Sequence, residues 1–197
     1  MSTQHNTPGN VPTTPEEVKA SDVQDTLLSL YAPRWHATHE YPSDLYSQIL
    51  PGLFMGGTDD AGTVDFPVAL HSVPDSGPFS AVVTLYSWAQ PMGWGVEEVR
   101  YGFYDSSVEH FETDKLLRVA RWAFDRWQEG ESVLIRCQAG LNRSGLVTAL
   151  VLLQAGYSPA EAIKLIREKR SSLALFNNDF VHWLVTKAEA ILQTNAA

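Results

Sequence analysis

The apolar run Val133-Leu134-Ile135 passes through Arg136 into Cys137-Gln138-Ala139-Gly140-Leu141-Asn142-Arg143-Ser144-Gly145, and a helical stretch follows as far as Gln154, before Gly156. Ser132–Arg136 reads as a central strand, and the residues from Arg143 onward read as a helix that starts directly after a short loop. A buried strand feeding a buried helix through so short a loop constrains the fold strongly. The strand sits inside a sheet and the helix packs back over it, as in α/β architectures.

The rest of the chain repeats that alternation. Gln48-Ile49-Leu50 and Leu53-Phe54-Met55 read as a hairpin across Pro51-Gly52 that closes at Gly56-Gly57. Ala81–Tyr86 is a buried strand by its β-branched run, and Val96–Tyr104 a further strand with Val99, Tyr101 and Phe103 at period two. Leu116, Leu117, Ala120, Ala123 and Phe124 mark a helix from Thr113 to Gln128. Ser158 caps another, Pro159 to Lys169, and a last one runs from Asn178 to Leu192. The expected fold is α/β, with a central, mostly parallel sheet of four to five strands flanked by helices on both faces.

Residues 1–20 are rich in Thr, Pro, Asn, Gln and Ser and read as disordered. Val23–Tyr31 has the pattern of a short amphipathic helix, and residues 32–47 carry aromatic and proline punctuation (Trp35, Tyr41, Pro42, Tyr46). Residues 1–44 are therefore expected to be an acidic, largely disordered extension with one short helix, and residues 45–197 the compact folded domain. In that extension Lys19 and Arg34 stand against Glu16, Glu17, Asp22, Asp25, Glu40 and Asp44, but acidity is not confined there, since the whole chain carries a net charge of −9. That charge argues against nonspecific binding to nucleic acid or an anionic membrane. The single cysteine allows no intramolecular disulfide. The N-terminus lacks a signal-peptide pattern, and Leu146–Ala155 is too short to span a bilayer. A cytoplasmic protein without membrane insertion is the expectation.

The thiol loop has a specific chemistry. Attack on a phosphate ester is slow because an anion must approach an anion. Successive backbone N–H groups at a helix N-terminus reduce that repulsion, and Arg143, six residues after Cys137, adds a bidentate fork. Helix N-termini and nearby cations favour thiolate over thiol, so sulfur can act as nucleophile without a dedicated base. Gly140 permits close backbone approach. Ser144 is placed to hydrogen-bond the sulfur and help it leave. The phosphate cradle is Gln138, Ala139, Gly140, Leu141, Asn142 and Arg143. The leaving oxygen needs a proton donor, for which Asp105, Glu109, Glu112 and Asp114 all precede the last strand. Asp105 follows a strand and precedes Ser106-Ser107; Asp114 is explained by a helix N-terminus.

The loop resembles the Cys-x5-Arg-Ser/Thr signature of protein tyrosine phosphatases, especially their dual-specificity branch. Ile49–Gly56 looks like the family's first hairpin, Ala160–Arg170 its helix after the catalytic one, and Asn178-Asp179-Phe180 with Leu184 the start of its last helix. The resemblance implies a cysteine phosphatase fold. It assigns the nucleophile to Cys137, the phosphate-binding arginine to Arg143, the assisting hydroxyl to Ser144 and the general acid to Asp105, 32 residues before Cys137. It departs in one place: the family usually has His before the nucleophile, and here Arg136 stands there. The implied activity is removal of phosphate from phosphotyrosine, or from phosphoserine and phosphothreonine, of a protein or peptide, with no metal or other cofactor. Gly140-Leu141-Asn142-Arg143 also resembles RNA 5′-triphosphatases, but Asp105 and the net acidity weigh against that. The uncharged Gln138, Ala139, Leu141 and Asn142 weigh against a phosphoinositide phosphatase. A phosphopeptide-binding pseudophosphatase is the non-enzyme alternative. At the rim, Trp88 and Trp94 are read equally as pocket wall or core. Trp122, Trp127 and Trp183 are read as structural, His110 as incidental, and Asn177 and Asn178 as caps that, with Phe176, approach the site.

Overall fold

The structure, a computed structural model, describes residues 20–31, 42–58, 78–188 and 190–192. Of the segment expected to be disordered all but Ala20 lies outside these described residues, as do Trp35 and Tyr41. Among the described residues five strands form one sheet: β1 (Tyr46–Leu50), β2 (Leu53–Gly56), β3 (Ala81–Thr84), β4 (Glu97–Arg100) and β5 (Val133–Arg136), in the order β1-β2-β5-β3-β4. β1 and β2 are the antiparallel hairpin; β2, β5, β3 and β4 run parallel. Central position explains composition: β3 is buried throughout, and β5 is buried except at Arg136.

Helices α2 (Thr113–Gln128), α3 (Arg143–Gln154) and α4 (Pro159–Lys169) have the ends that sequence predicts. The α4 start is fixed by a capping box, in which Ser158 Oγ accepts from Glu161 N–H while the Glu161 carboxylate accepts from Ser158 N–H. Residues Ser144 to Leu152 of α3 are buried on every side, so this helix forms the interior of the helical layer. The expected short N-terminal helix is α1 (Ala20–Leu30), with Leu27 and Leu30 buried. The described helices share one core with Val83, Val133 and Ile135. The opposite sheet face, carrying Val82 and Leu134, is covered by Phe79 together with Tyr46, Phe54, Met92 and Val96.

Three elements differ from expectation. The strand expected over Ala81–Tyr86, β3, ends at Thr84. The strand expected over Val96–Tyr104 stops at Arg100, because its partner β3 stops at Thr84, opposite Arg100 in register. Residues 101–104 continue outside the ladder toward the site. The last helix is not continuous: α5 (Asn178–Trp183) passes into one π-helical turn, Leu184–Ala188. Thr186 Oγ1 donates to the His182 carbonyl at 2.8 Å inside this stretch, a back-bond that competes with regular helical pairing.

The parallel strands β2, β5 and β3 end together. Cys137 N–H donates to Gly56 O (3.2 Å), Leu85 N–H to Arg136 O (2.8 Å) and Thr58 N–H to Gln138 O (3.0 Å). The thiol loop thus opens at the carboxyl edge of the sheet, where α/β folds place ligands.

Candidate active site

Strand alternation sets the first geometric fact. Cys137 follows Ile135 onto the helical face, while Arg136 shares the other face with Leu134. Cys137 is 2% exposed, and its Sγ lies 3.3 Å from Oγ of the fully buried Ser144 at the start of α3. Gly140 sits at φ +69°, and a Cβ there would come within 2.4 Å of Gly56 C and 2.5 Å of Gly57 N. Only glycine lets the loop bed against the end of β2.

A buried cation supports the loop from behind. Arg170, just after α4, donates from Nε to Gly140 O (3.1 Å), from one terminal nitrogen to Asp44 O (2.6 Å) and Ser47 Oγ (3.3 Å), and from the other to Leu45 O (3.2 Å). Burial pushes its guanidinium down to about 10, partly offset by Cys137 and Asp44, so it stays charged at neutral pH. Sequence reading missed Arg170, because its partners are backbone carbonyls far away along the chain.

Arg143 heads α3. One terminal nitrogen donates to Leu85 O (3.3 Å) and Phe103 O (3.2 Å), and the guanidinium lies 5.5 Å from the Tyr86 ring centroid. Its Nε is buried without a hydrogen-bond partner among the described residues. The brace therefore holds one end of the guanidinium and leaves the Nε–H as an unused donor.

Asp105 is brought to the loop. Asn142 Nδ2 donates to its Oδ2 and Asn177 Nδ2 to its Oδ1, both at 3.0 Å. Asn177 Nδ2 also donates to Ser106 O (2.9 Å), while its Oδ1 accepts the Asp179 and Phe180 N–H groups and caps α5. The reading of Asn177 as a cap is thus correct and incomplete. The other acidic residues have other partners: Glu112 precedes α2 and pairs with Lys115 at 2.6 Å, Asp114 lies in the first turn of α2, and Glu109 belongs to a one-turn 3-10 helix. His110 is engaged, with Nδ1 2.8 Å from Ser106 Oγ and its ring against Tyr104.

Arg136 grips the far side of the sheet. It donates to Thr84 Oγ1 (2.8 Å) and Gln90 O (2.6 Å) and pairs with Glu98 at 3.1 Å. Glu98 also pairs with Arg100 and accepts from Thr84 Oγ1 and Met92 N–H. Burial raises the Glu98 carboxyl, but the Thr84 and Met92 hydrogen bonds and the two arginines outweigh it and hold the group below the usual carboxylate range. With Arg100 donating to Ala89 O (2.7 Å), the loop after β3 is pinned by its carbonyls. That loop displays Trp88, 80% exposed, and the fully exposed Trp94, so neither packs in the core. Trp183 is buried against Phe111 and Trp127 Nε1 donates to Pro51 O (2.9 Å), both structural as expected.

The sequence profile of the family described as "Dual specificity phosphatase, catalytic domain" matches residues 109–190. Solved structures share the fold. Human DUSP28 aligns at 21% identity and TM-score 0.60, over 76% of this chain and 96% of that one. Tk-PTP in its active form aligns at 26% identity and TM-score 0.58, over 77% and 99%. PTPMT1 in complex with PI(5)P aligns at 21% identity and TM-score 0.60, over 78% and 100%. Among curated proteins none matches the sequence. The profile's span contains β5, the thiol loop and every helix from α3 onward, the part of the chain where the sulfur, its hydroxyl partner and its arginine lie together. Over residues 109–190 the chain is thus similar to the dual specificity phosphatase catalytic domain, within a fold that it shares with these solved structures.

Proposed function

We propose that this protein is a cysteine-dependent phosphomonoesterase that acts on phosphorylated protein, with phosphotyrosine as its leading substrate and phosphoserine and phosphothreonine as further ones. Cys137 sulfur attacks phosphorus in line; the S–P bond forms as the P–O bond to the leaving group breaks. Asp105 delivers a proton to the departing oxygen. Water then attacks the cysteinyl-phosphate, Asp105 takes its proton, and Ser144 Oγ–H stabilises the departing thiolate. Inorganic phosphate leaves and the thiolate is restored. The Arg143 Nε–H and the loop amides bind the equatorial oxygens of the transition state.

The observation that carries this reading is the 3.0 Å hydrogen bond from Asn142 in the thiol loop to Asp105. It sets a carboxyl group beside the loop that holds the nucleophile, as a leaving alkoxide or phenoxide requires. The protein substrate is favoured by the uncharged Gln138, Ala139, Leu141 and Asn142, which offer no cation for a polyanionic headgroup or triphosphate. The amide of Asn142, the residue shared with RNA 5′-triphosphatases, is engaged by the carboxylate.

Purified protein should hydrolyse an aryl phosphate in the presence of a metal chelator, and Cys137→Ser should abolish turnover. Retained activity in that variant, or a requirement for added divalent metal, overturns the mechanism. Turnover of phosphotyrosyl peptide, phosphoseryl peptide, phosphoinositide and triphosphate-ended RNA, compared side by side, tests the substrate class.

A further inference from the structure

Asn142 occupies the N-cap position of α3, where an asparagine side chain ordinarily accepts a backbone N–H of the first helical turn. Here it does not. Its backbone is helical (φ −89°, ψ −64°) rather than extended, and the side chain makes no capping bond. The residue is 2% exposed. Its Oδ1 instead accepts Asn177 N–H at 3.0 Å, and its Nδ2 donates to Asp105 Oδ2 at 3.0 Å. The amide orientation is forced, since rotating it by half a turn would set oxygen against carboxylate and NH2 against N–H. Asn177 closes the arrangement by donating to Asp105 Oδ1. Each carboxylate oxygen thus accepts one fixed N–H and keeps a second lone pair for the proton in transit.

We infer that Asn142 is a positioning residue for the general acid: its side chain leaves the helix end uncapped in order to fix the Asp105 carboxyl relative to the thiol loop, with Asn177 as the second jaw. The inference rests on the phosphatase reading above and deepens it. The loop that binds phosphate itself sets the acid, so the two parts of the site keep one geometry although 37 residues separate Asn142 from Asp105. It also leaves the N–H groups of α3 clear of the Asn142 side chain, on the side where the anion is bound.

The test compares wild type, Asn142→Ser, Asp105→Asn and the double variant on p-nitrophenyl phosphate, whose leaving group needs little protonation, and phenyl phosphate, whose leaving group needs more. A serine at position 142 keeps a small polar side chain in the buried site but does not span to Asp105. Asn142→Ser should lose about tenfold or more on phenyl phosphate and less than about threefold on p-nitrophenyl phosphate, with no further loss when added to Asp105→Asn. Vanadate inhibition should keep its wild-type strength, showing an intact loop. Equal losses on both esters, additive losses in the double variant, or no loss at all overturn the inference. A second readout needs no turnover. The side-chain amide NMR signals of Asn142 and Asn177 should both move in Asp105→Ala; if that of Asn142 stays in place, the clamp is wrong whatever the activity. If both signals move but wild type hydrolyses no ester, the phosphatase reading falls and takes the catalytic role of Asn142 with it.

Discussion

Ser144 is fully buried and points its only polar side-chain atom at the thiol, 3.3 Å away. A hydroxyl in that place does little for attack, because sulfur must then be free to reach phosphorus. In the proposed reaction it acts when thiolate departs from the cysteinyl-phosphate. A hydrogen bond to a charged group contributes about 1.5–3 kcal/mol, or roughly 10- to 150-fold in rate. Ser144→Ala should therefore slow turnover by about that factor while the first step survives, giving a burst of released phenol in rapid-mixing kinetics. A uniform slowing without a burst would place the hydroxyl in the first step. The relation of Cys137, Arg143 and Ser144 was legible in sequence because eight consecutive positions, a strand end and a helix start determine it. The place of Asp105 needed topology and the family resemblance. The amides of Asn142 and Asn177 were not legible as partners of Asp105, since polar contacts across 37 and 72 residues leave no periodic trace.

Arg136 shows how an element can reassign a residue. Read as a replacement for the family's histidine, it stands next to the nucleophile in sequence, yet strand alternation turns it to the opposite face, where it joins Glu98, Arg100 and Thr84 in holding the loop after β3. The Glu98 carboxyl is held below its ordinary value of 4.5. A depressed carboxylate contributes stability that is present above its unfolded pKa and lost as pH falls through the folded one. Glu98→Gln should cost about 1.5–3 kcal/mol at neutral pH by urea denaturation. The gap to wild type should close as pH falls below about 4.5 and the native protein loses the same contribution. A gap that stays constant down through that range would assign the loss to packing. Helix boundaries were readable because caps and apolar stripes are local signals. The early end of β4 was not, because Tyr101 and Phe103 keep the strand period after β3 has run out of partners. The π turn after Trp183 has no pattern in the sequence that sets it apart from regular helix.

Across the whole molecule, a single buried guanidinium connects the last third of the chain to the first. Arg170 joins the backbone at Gly140 to the carbonyls of Asp44 and Leu45. Replacing it leaves the buried Gly140 carbonyl and the less buried acceptors at Asp44, Leu45 and Ser47 without their donor, a loss of about 1–3 kcal/mol. Arg170→Met should lower the urea midpoint accordingly. Arg170→Lys should recover only part of it, since one ammonium cannot reach partners spread as a planar fork reaches them. A full recovery by lysine would mean that charge alone matters. No local pattern marks this link, because arginine so near a helix end reads as a solvated residue. Its consequence lies in the order of folding. Asp44 and Arg170 are 126 residues apart, so the loop-closure entropy of joining them must be met before the thiol loop has its backing. A refolding chain should regain catalytic turnover together with the docking of its β1 hairpin and not ahead of it, so nascent or half-folded molecules are silent toward phosphoesters until the two ends of the domain have met.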